Sequence, residues 1–503
     1  MLPIACVYSF VAAAHAARLV TATSVTVRAL SRLAVIVYLS VVATLLAGCG
    51  GDPLEPWHEE YLDEEFRVSD SDAAQSFTEY LELEDRLFRQ LDEEVYSQVG
   101  TGPRFGLVRY SRGSASDPQA RNPNWNRSFE LTADNPAGGV LLLHGMSDSP
   151  YSLRALGESL KARGYWVIGL RLPGHGTAPS GLLRVRWQDM AGAVQLAARH
   201  LAERVGSAPL HIVGYSNGAP LALNYTLDAL DSDAERVPAS LVLLSPAIGL
   251  GTGAGLASWM RALANVPGLG RWIWLDVQPE FDPYKYNSFA TNAGAQVFAI
   301  TQRIAERVAA RAATDADTVL PPVLVFKSTV DDTVSTQAVV DNLLGRLRPA
   351  RHELVLYDIN RVAGVGSILV DDAGPLTVRL MDDGALPFGV TLVTNQNPES
   401  REVVAQFKPP FSNGLAAIDE LGLAWSRDIL SLSHIALPIG PDDPLYGRER
   451  PPGGSLFLGQ QAIQGERGLI RIPASYFLRL RHNPFYEYQS ARILAWLEAA
   501  GEN

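Results

Sequence analysis

From Gly138 onward, short apolar runs alternate with helical patterns, and that alternation leaves few topologies open. Val140-Leu141-Leu142-Leu143 is a continuous apolar run of the kind that forms a strand buried on both faces. A helical pattern over Tyr151–Ala162 follows, then a strand (Trp166–Leu170), a helix (Trp187–Val205), a strand (Leu210–Val213), a helix (Ala219–Leu230) and a strand (Leu241–Leu244). The pattern resumes with a strand at Val323–Phe326, a helix at Thr336–Leu347 and a strand at Glu353–Tyr357, and a helix over Ser490–Ala499 closes the chain. Short links between such elements predict a mostly parallel sheet, flanked by helices and built with right-handed crossovers. Two stretches interrupt it. The first, about 249–320, opens with Gly249, Gly251, Gly253 and Gly255 and carries Trp259, Trp272 and Trp274, which suggests a cap of mobile helices. The second, about 361–431, reads as a late insertion of mixed strand and loop.

The strongest chemical signal lies inside this alternation. Gly214-Tyr215-Ser216-Asn217-Gly218 follows His211-Ile212-Val213 and precedes an Ala/Leu-rich helix. A G-x-S-x-G string alone is weak, but the strand–turn–helix setting is the one a nucleophile elbow requires. The glycines allow a tight turn, and Ser216 is lifted at the carboxyl end of the sheet. His144-Gly145-Met146-Ser147 follows the first core strand, where an oxyanion loop is expected. Backbone N–H groups of Met146 and Asn217 are the expected donors to a developing alkoxide. His144 reads as a brace for that loop.

His144-Gly145, Leu172-Pro173-Gly174-His175-Gly176-Thr177, Trp187 and the Ser216 pentapeptide together resemble the α/β-hydrolase superfamily. The likeness is nearest to its monoacylglycerol-lipase, carboxylesterase and serine-aminopeptidase-like branch. It covers roughly Gly138–Ser245, with a looser return at Val323–Tyr357. The resemblance implies the α/β-hydrolase fold and a catalytic set in the order Ser, acid, His. The acid is expected after a late strand, where Asp331 and Asp332 are adjacent candidates and Asp331 is favoured. Three histidines follow it. His352 precedes a strand at the wrong end of the sheet, and His482 stands before the final helix. His434, in Ser431-Leu432-Ser433-His434, follows the last strand and is the preferred general base, with His482 second. His175 belongs to a structural loop. The implied activity is acyl-ester hydrolysis through an acyl-enzyme, with an aminopeptidase or amidase of the same fold, or a non-catalytic lipoprotein binding module, as alternatives.

Composition narrows the chemistry further. Only Cys6 and Cys49 are present, both before the globular part, so neither a thiol nucleophile, a disulfide framework nor a structural zinc is expected there. No phosphate-binding loop or HExxH pattern occurs, and no cofactor or metal is expected. A net charge of −12 argues against nucleic acid as a partner.

Residues 1–48 contain no Asp, Glu or Lys. After Arg32 an apolar run of about 14 residues ends at Leu46, short for a span of about 20 but suited to a signal-peptide core. Leu46-Ala47-Gly48-Cys49 resembles a bacterial lipobox, which implies lipidation at Cys49, a tether over 49–68 and a place in the cell envelope. The stretch before Arg28 is long for such a segment and points to a translation start nearer Val25 or Val27. Phe77, Tyr80, Leu81, Leu83, Leu87, Phe88 and Leu91 recur at helical spacing, so 69–137 is expected to pack a helix and loops on the core, with a short strand near Phe105–Tyr110. The remaining 138–503 is then one hydrolase domain.

Overall fold

The computed structural model describes residues 53–71, 73–232, 234–249, 273–314, 320–331, 334–362, 374–427, 429–452, 456–459 and 480–501. Cys6, Cys49, the leader, Trp259, Trp272 and Asp332 lie outside them.

Among the described residues ten strands form one sheet: β1 (Phe129–Leu131), β2 (Gly139–Leu143), β3 (Trp166–Leu170), β4 (Leu210–Tyr215), β5 (Ser240–Leu244), β8 (Val323–Ser328), β9 (Glu353–Tyr357), β10 (Gly389–Asn395), β11 (Glu402–Lys408) and β12 (Ala417–Ala424). β6 (Trp274–Asp276) and β7 (Phe289–Ala290) form a separate hairpin. The sheet order is β1-β3-β2-β4-β5-β8-β9-β10-β11-β12. Pairing is parallel from β3 through β10 and antiparallel at β1, β11 and β12.

Period-two alternation sends each central strand's side chains to two cores. Leu141, Leu143, Ile212, Leu241, Leu243 and Val325 face one, while Val140, Leu142, Val213, Val242, Leu244 and Phe326 face the other. Helices cover both faces: α3 (Tyr151–Ala162) and α9 (Tyr486–Gly501) on the second, α4 (Trp187–Val205), α5 (Gly218–Asp231) and α6 (Thr291–Ala313) on the first. This is the predicted α/β-hydrolase architecture.

Ahead of the sheet, α2 (Phe77–Glu94) packs on the core as expected, but the stretch expected to be a tether is folded from Pro53 onward: it forms α1 (Pro56–Glu59) and buries Trp57, Leu62 and Phe66. Ser76 caps α2 by accepting from the Glu79 N–H at 3.2 Å, and Phe77, Tyr80, Leu87, Phe88 and Leu91 bury its apolar stripe. Buried Arg171 clamps this region down: its guanidinium meets Glu84 at 2.9 Å and Glu65 at 3.0 Å, and its carbonyl accepts from the Tyr80 hydroxyl at 2.7 Å.

Three further expectations need correction. Phe105–Tyr110 is no strand: Pro103 and Gly106 bound a single 3-10 turn and further turns follow. The described part of the cap stretch is a hairpin and the one long helix α6. That helix is no mobile lid, because Val297, Ile300, Ile304 and Val308 bury one side of it in the main core, and Trp274 is buried there too. The late segment contains helix α8 (Gly374–Asp382) after α7 (Thr336–Asn342), and its strands extend the central sheet. β10 continues the parallel ladder on β9, from Gly389 opposite Glu353 to Val393 opposite Tyr357.

Candidate active site

The turn after β4 holds Ser216 at φ 52°, a left-handed conformation that costs a non-glycine residue about 1–2 kcal/mol. Hydrogen bonds sustain it: the Ser216 N–H donates to the Leu244 carbonyl at 2.9 Å, and its carbonyl accepts from Ala247 at 3.1 Å and Ala219 at 3.2 Å. Both flanking glycines are required by contact. A Cβ on Gly214 would lie 2.6 Å from the Gly218 carbonyl oxygen, and one on Gly218 would lie 2.1 Å from the Leu143 carbonyl oxygen. The sequence-predicted elbow is therefore built as a strained turn between β4 and α5. Gly145 of the loop after β2 packs so closely that its Cβ would sit 3.1 Å from Ser216 Cβ.

Asp331 follows β8, two strands away in the sheet order. Its Oδ2 takes His434 Nδ1 at 3.0 Å, so the favoured acid and base are joined although the whole late segment separates them in sequence. Oδ1 accepts from the Val334 N–H at 3.2 Å. Lys327, on β8 itself, places Nζ 2.8 Å from the same Oδ2, and both side chains are fully buried. Burial by itself pushes the Asp331 carboxyl up, but His434 and the Lys327 ammonium outweigh it and hold the group well below the usual carboxylate range. Burial pushes Lys327 down from its ordinary value.

The other histidines separate from this pair. His352 accepts from the Val323 N–H at 3.1 Å, at the amino ends of β8 and β9, away from Ser216. His482 is buried but does not line the cavity that Ser216 and His434 share. His144 braces as expected: Nδ1 donates to the Gly145 carbonyl at 2.8 Å, and Nε2 accepts from the Leu172 N–H at 3.1 Å. His175 spans Pro173 O and Met146 Sδ at 2.9 and 3.2 Å. Burial lowers both to about 3, so they stay neutral struts of the loop after β2.

The shared cavity has a volume of about 470 Å³ and includes both expected oxyanion residues, Met146 and Asn217. Asn217 stands at the start of α5, where unpaired N–H groups favour developing negative charge. Ala247, Phe289, Val297, Val334 and Ile435 give the cavity an apolar wall. A charged end faces it, formed by Asp148 with Lys285 at 3.2 Å and Asp282 with Arg481 at 3.5 Å. Sequence reasoning missed these four residues, because they come from three loops far apart in the chain and carry no motif. Buried Arg109 locks the loop bearing two of them, donating to the Asp282 and Lys285 carbonyls at 3.2 Å. Among the described residues, no group of three or more His, Cys, Asp or Glu side chains is arranged to hold a metal.

With this geometry, comparison with known proteins is informative. A family model described as "Serine aminopeptidase, S33" matches residues 134–360. The elbow, the oxyanion loop and Asp331 fall inside that match, whereas His434 and Arg481 fall beyond it. A thermostable monoacylglycerol lipase from Bacillus sp. (strain H-257) is 34% identical over 124 residues, which are 24% of this chain and 48% of the lipase. The chain thus spans about half the length of the curated relative it matches. Among solved structures, the monoacylglycerol lipase of Paleococcus ferrophilus aligns at 17% identity over 46% of this chain and 88% of its own, with a TM-score of 0.35. A soluble variant of the monoglyceride lipase of Saccharomyces cerevisiae aligns at 14% identity over 46% of this chain and 82% of its own, also with a TM-score of 0.35.

Proposed function

We propose, on the premise that residues 134–360 form a core of the α/β-hydrolase superfamily, that the protein is a serine hydrolase cleaving acyl esters through an acyl-enzyme. The observation that carries the reading is the His434–Asp331 hydrogen bond at 3.0 Å, with His434 and Ser216 lining one cavity. His434 takes the Ser216 proton as the hydroxyl oxygen attacks the acyl carbonyl. Asp331 holds the imidazole with Nδ1 protonated, leaving Nε2 as the base, and stabilises the imidazolium. N–H groups of Met146 and Asn217 receive the alkoxide. Collapse expels the alcohol, which takes the proton from His434, and water repeats the sequence to free the acid. The apolar wall suits an acyl chain, so the substrate is a small ester or lipid-like molecule. We also take Cys49 as a lipidated mature N-terminus holding the enzyme in a bacterial cell envelope, supported by the lipobox-like Leu46–Cys49 sequence.

A fluorophosphonate probe and a panel of p-nitrophenyl esters, glycerides and aminoacyl anilides test the proposal. Ser216→Ala should lose labelling and turnover, and His434→Ala and Asp331→Asn should lower turnover by roughly three orders of magnitude or more. His482→Ala should stay within a small factor of wild type. Esters turned over no faster than anilides would favour an amidase, and undiminished turnover in Ser216→Ala would remove the serine mechanism altogether. Loss of fatty-acid labelling in Cys49→Ser is the expected result for the anchor; equal labelling would refute it.

A further inference from the structure

A lysine one residue from the carboxyl end of a fully buried core strand demands an explanation. In Val323-Leu324-Val325-Phe326-Lys327-Ser328 every residue is buried, and Lys327 is the strand's one charge. Its ammonium makes two contacts, to Asp331 Oδ2 at 2.8 Å and to the Val334 carbonyl at 2.6 Å. The first is to the same oxygen that takes His434 Nδ1. The second ties down the far end of the turn carrying Asp331, whose other oxygen accepts from the Val334 N–H.

We propose that Lys327 is a positioning residue of the hydrolytic site, one that fixes Asp331 toward His434 and, by sharing Oδ2, sets how readily the Asp331–His434 couple takes up a proton. The inference rests on the triad reading given above. In a couple of this kind the protonation steps belong to the pair. A cation on the shared oxygen opposes addition of a second positive charge, so the couple stays in its working form, with imidazole neutral, to lower pH. The ammonium and the imidazole nitrogen each lie about 3 Å from that oxygen and so no more than about 6 Å apart. At that distance and an effective dielectric near 20, the repulsion corresponds to about two pH units.

Other charges around the couple are arranged differently. Tyr215 packs its ring on His434 and points its hydroxyl at the His434 carbonyl, at 3.4 Å, and burial raises its own titration well above the ordinary range. Asp148 with Lys285 and Asp282 with Arg481, across the cavity, are paired opposite charges. Lys327 is the cation in direct contact with the couple's carboxylate.

The test is the pH profile of kcat/KM for p-nitrophenyl acetate in wild type, Lys327→Met and Lys327→Gln, with thermal melts alongside. Both variants should move the acidic limb to higher pH by about one unit or more, since both remove the charge. The plateau should fall roughly tenfold, the cost of one lost orienting hydrogen bond, with KM little changed. Glutamine keeps a donor toward Val334, so it separates charge from stapling. A Lys327→Gln profile that coincides with wild type, or limbs unmoved in both variants, would overturn the proposal and leave Lys327 a structural staple. If neither variant folds, Lys327→Arg decides, since it keeps the charge and alters the staple: an unmoved acidic limb is expected, and a limb moved to higher pH overturns the proposal. Turnover surviving in Ser216→Ala or His434→Ala would instead refute the triad reading itself.

Discussion

Consider acidification from pH 7 to pH 5. Among the described residues, burial lowers six histidines from the ordinary value: His144 and His175 to about 3, His58, His211 and His352 to about 4, and His482 in the same direction. Unfolded, each titrates near 6.5, so below that pH the unfolded chain binds more protons than the native one. The stability held by these neutral rings is complete above 6.5 and is lost as pH falls toward 3–4. Glu280 opposes them: burial raises its carboxyl to about 7, so its contribution is present at low pH and is lost as pH rises through 7. Near pH 5.5 the balance of the first five and Glu280 is close to four protons, or about 5 kcal/mol per pH unit at 1.36 kcal/mol for each. A typical total stability of about 5–15 kcal/mol would be exhausted within roughly two pH units, placing acid unfolding near pH 4–5. Urea midpoints by circular dichroism at pH 7.0, 6.0 and 5.0 measure the slope. His211→Gln should flatten it by about one proton, since the His211 ring meets Ser240 Oγ at 2.9 Å, far from the cavity. A midpoint unchanged between pH 7 and pH 5 would refute the reasoning, because buried neutral histidines cannot be silent in that window. Asp331 leaves the interval untouched: its value is depressed, so its contribution persists until well below the ordinary carboxylate range.

Two further predictions concern stability. Gly218→Ala should prevent soluble expression or cost more than about 3 kcal/mol, read as a lost or shifted thermal transition, because its Cβ would meet backbone 2.1 Å away. A melt within a degree of wild type would contradict the elbow geometry. Glu84→Gln should destabilise by about 3–5 kcal/mol, since it weakens the buried Arg171 cluster on Glu84 and Glu65, while hydrolysis per folded molecule stays near wild type. A urea midpoint unmoved in Glu84→Gln would mean the cluster contributes nothing net.

How much of this was legible in the sequence depended on whether the signal was local. The strand Glu353–Tyr357 and the helices Tyr151–Ala162 and Trp187–Val205 were readable to the residue, because each depends on its own periodicity. The elbow was readable because strand, turn and helix are contiguous. The charged end of the cavity was not, since Asp148, Asp282, Lys285 and Arg481 meet only through folding. The late segment was half legible: its strands carried a signal, but whether they stood apart or joined the sheet is a matter of edge pairing that residue order does not encode.

On the proposed function, that edge pairing bears on the placement of His434, and it gives the last prediction. The family match ends at residue 360, where β9 has just finished, and the chain builds three more strands before returning with His434. Asn360 marks the junction. Its N–H donates to the Leu430 carbonyl at 2.7 Å, its Nδ2 to the Ile429 carbonyl at 3.0 Å, and its Oδ1 accepts from Asn395 Nδ2, at the end of β10, at 3.1 Å. One side chain therefore ties the returning segment to the junction between β9 and β10, five residues before His434. On the other side, Ser433 Oγ donates to the Leu480 carbonyl at 2.6 Å. Asn360→Ala should cost about 1–3 kcal/mol in stability for the lost buried hydrogen bonds. Turnover should fall further, by roughly 10- to 100-fold, because a displacement near 1 Å of a catalytic base has that effect, while KM for a short ester changes little. Stopped-flow burst kinetics locate the loss in acylation. A variant that melts lower but acylates at the wild-type rate would show that the Ser433 side alone positions His434, and that the added strands serve the sheet and not the site.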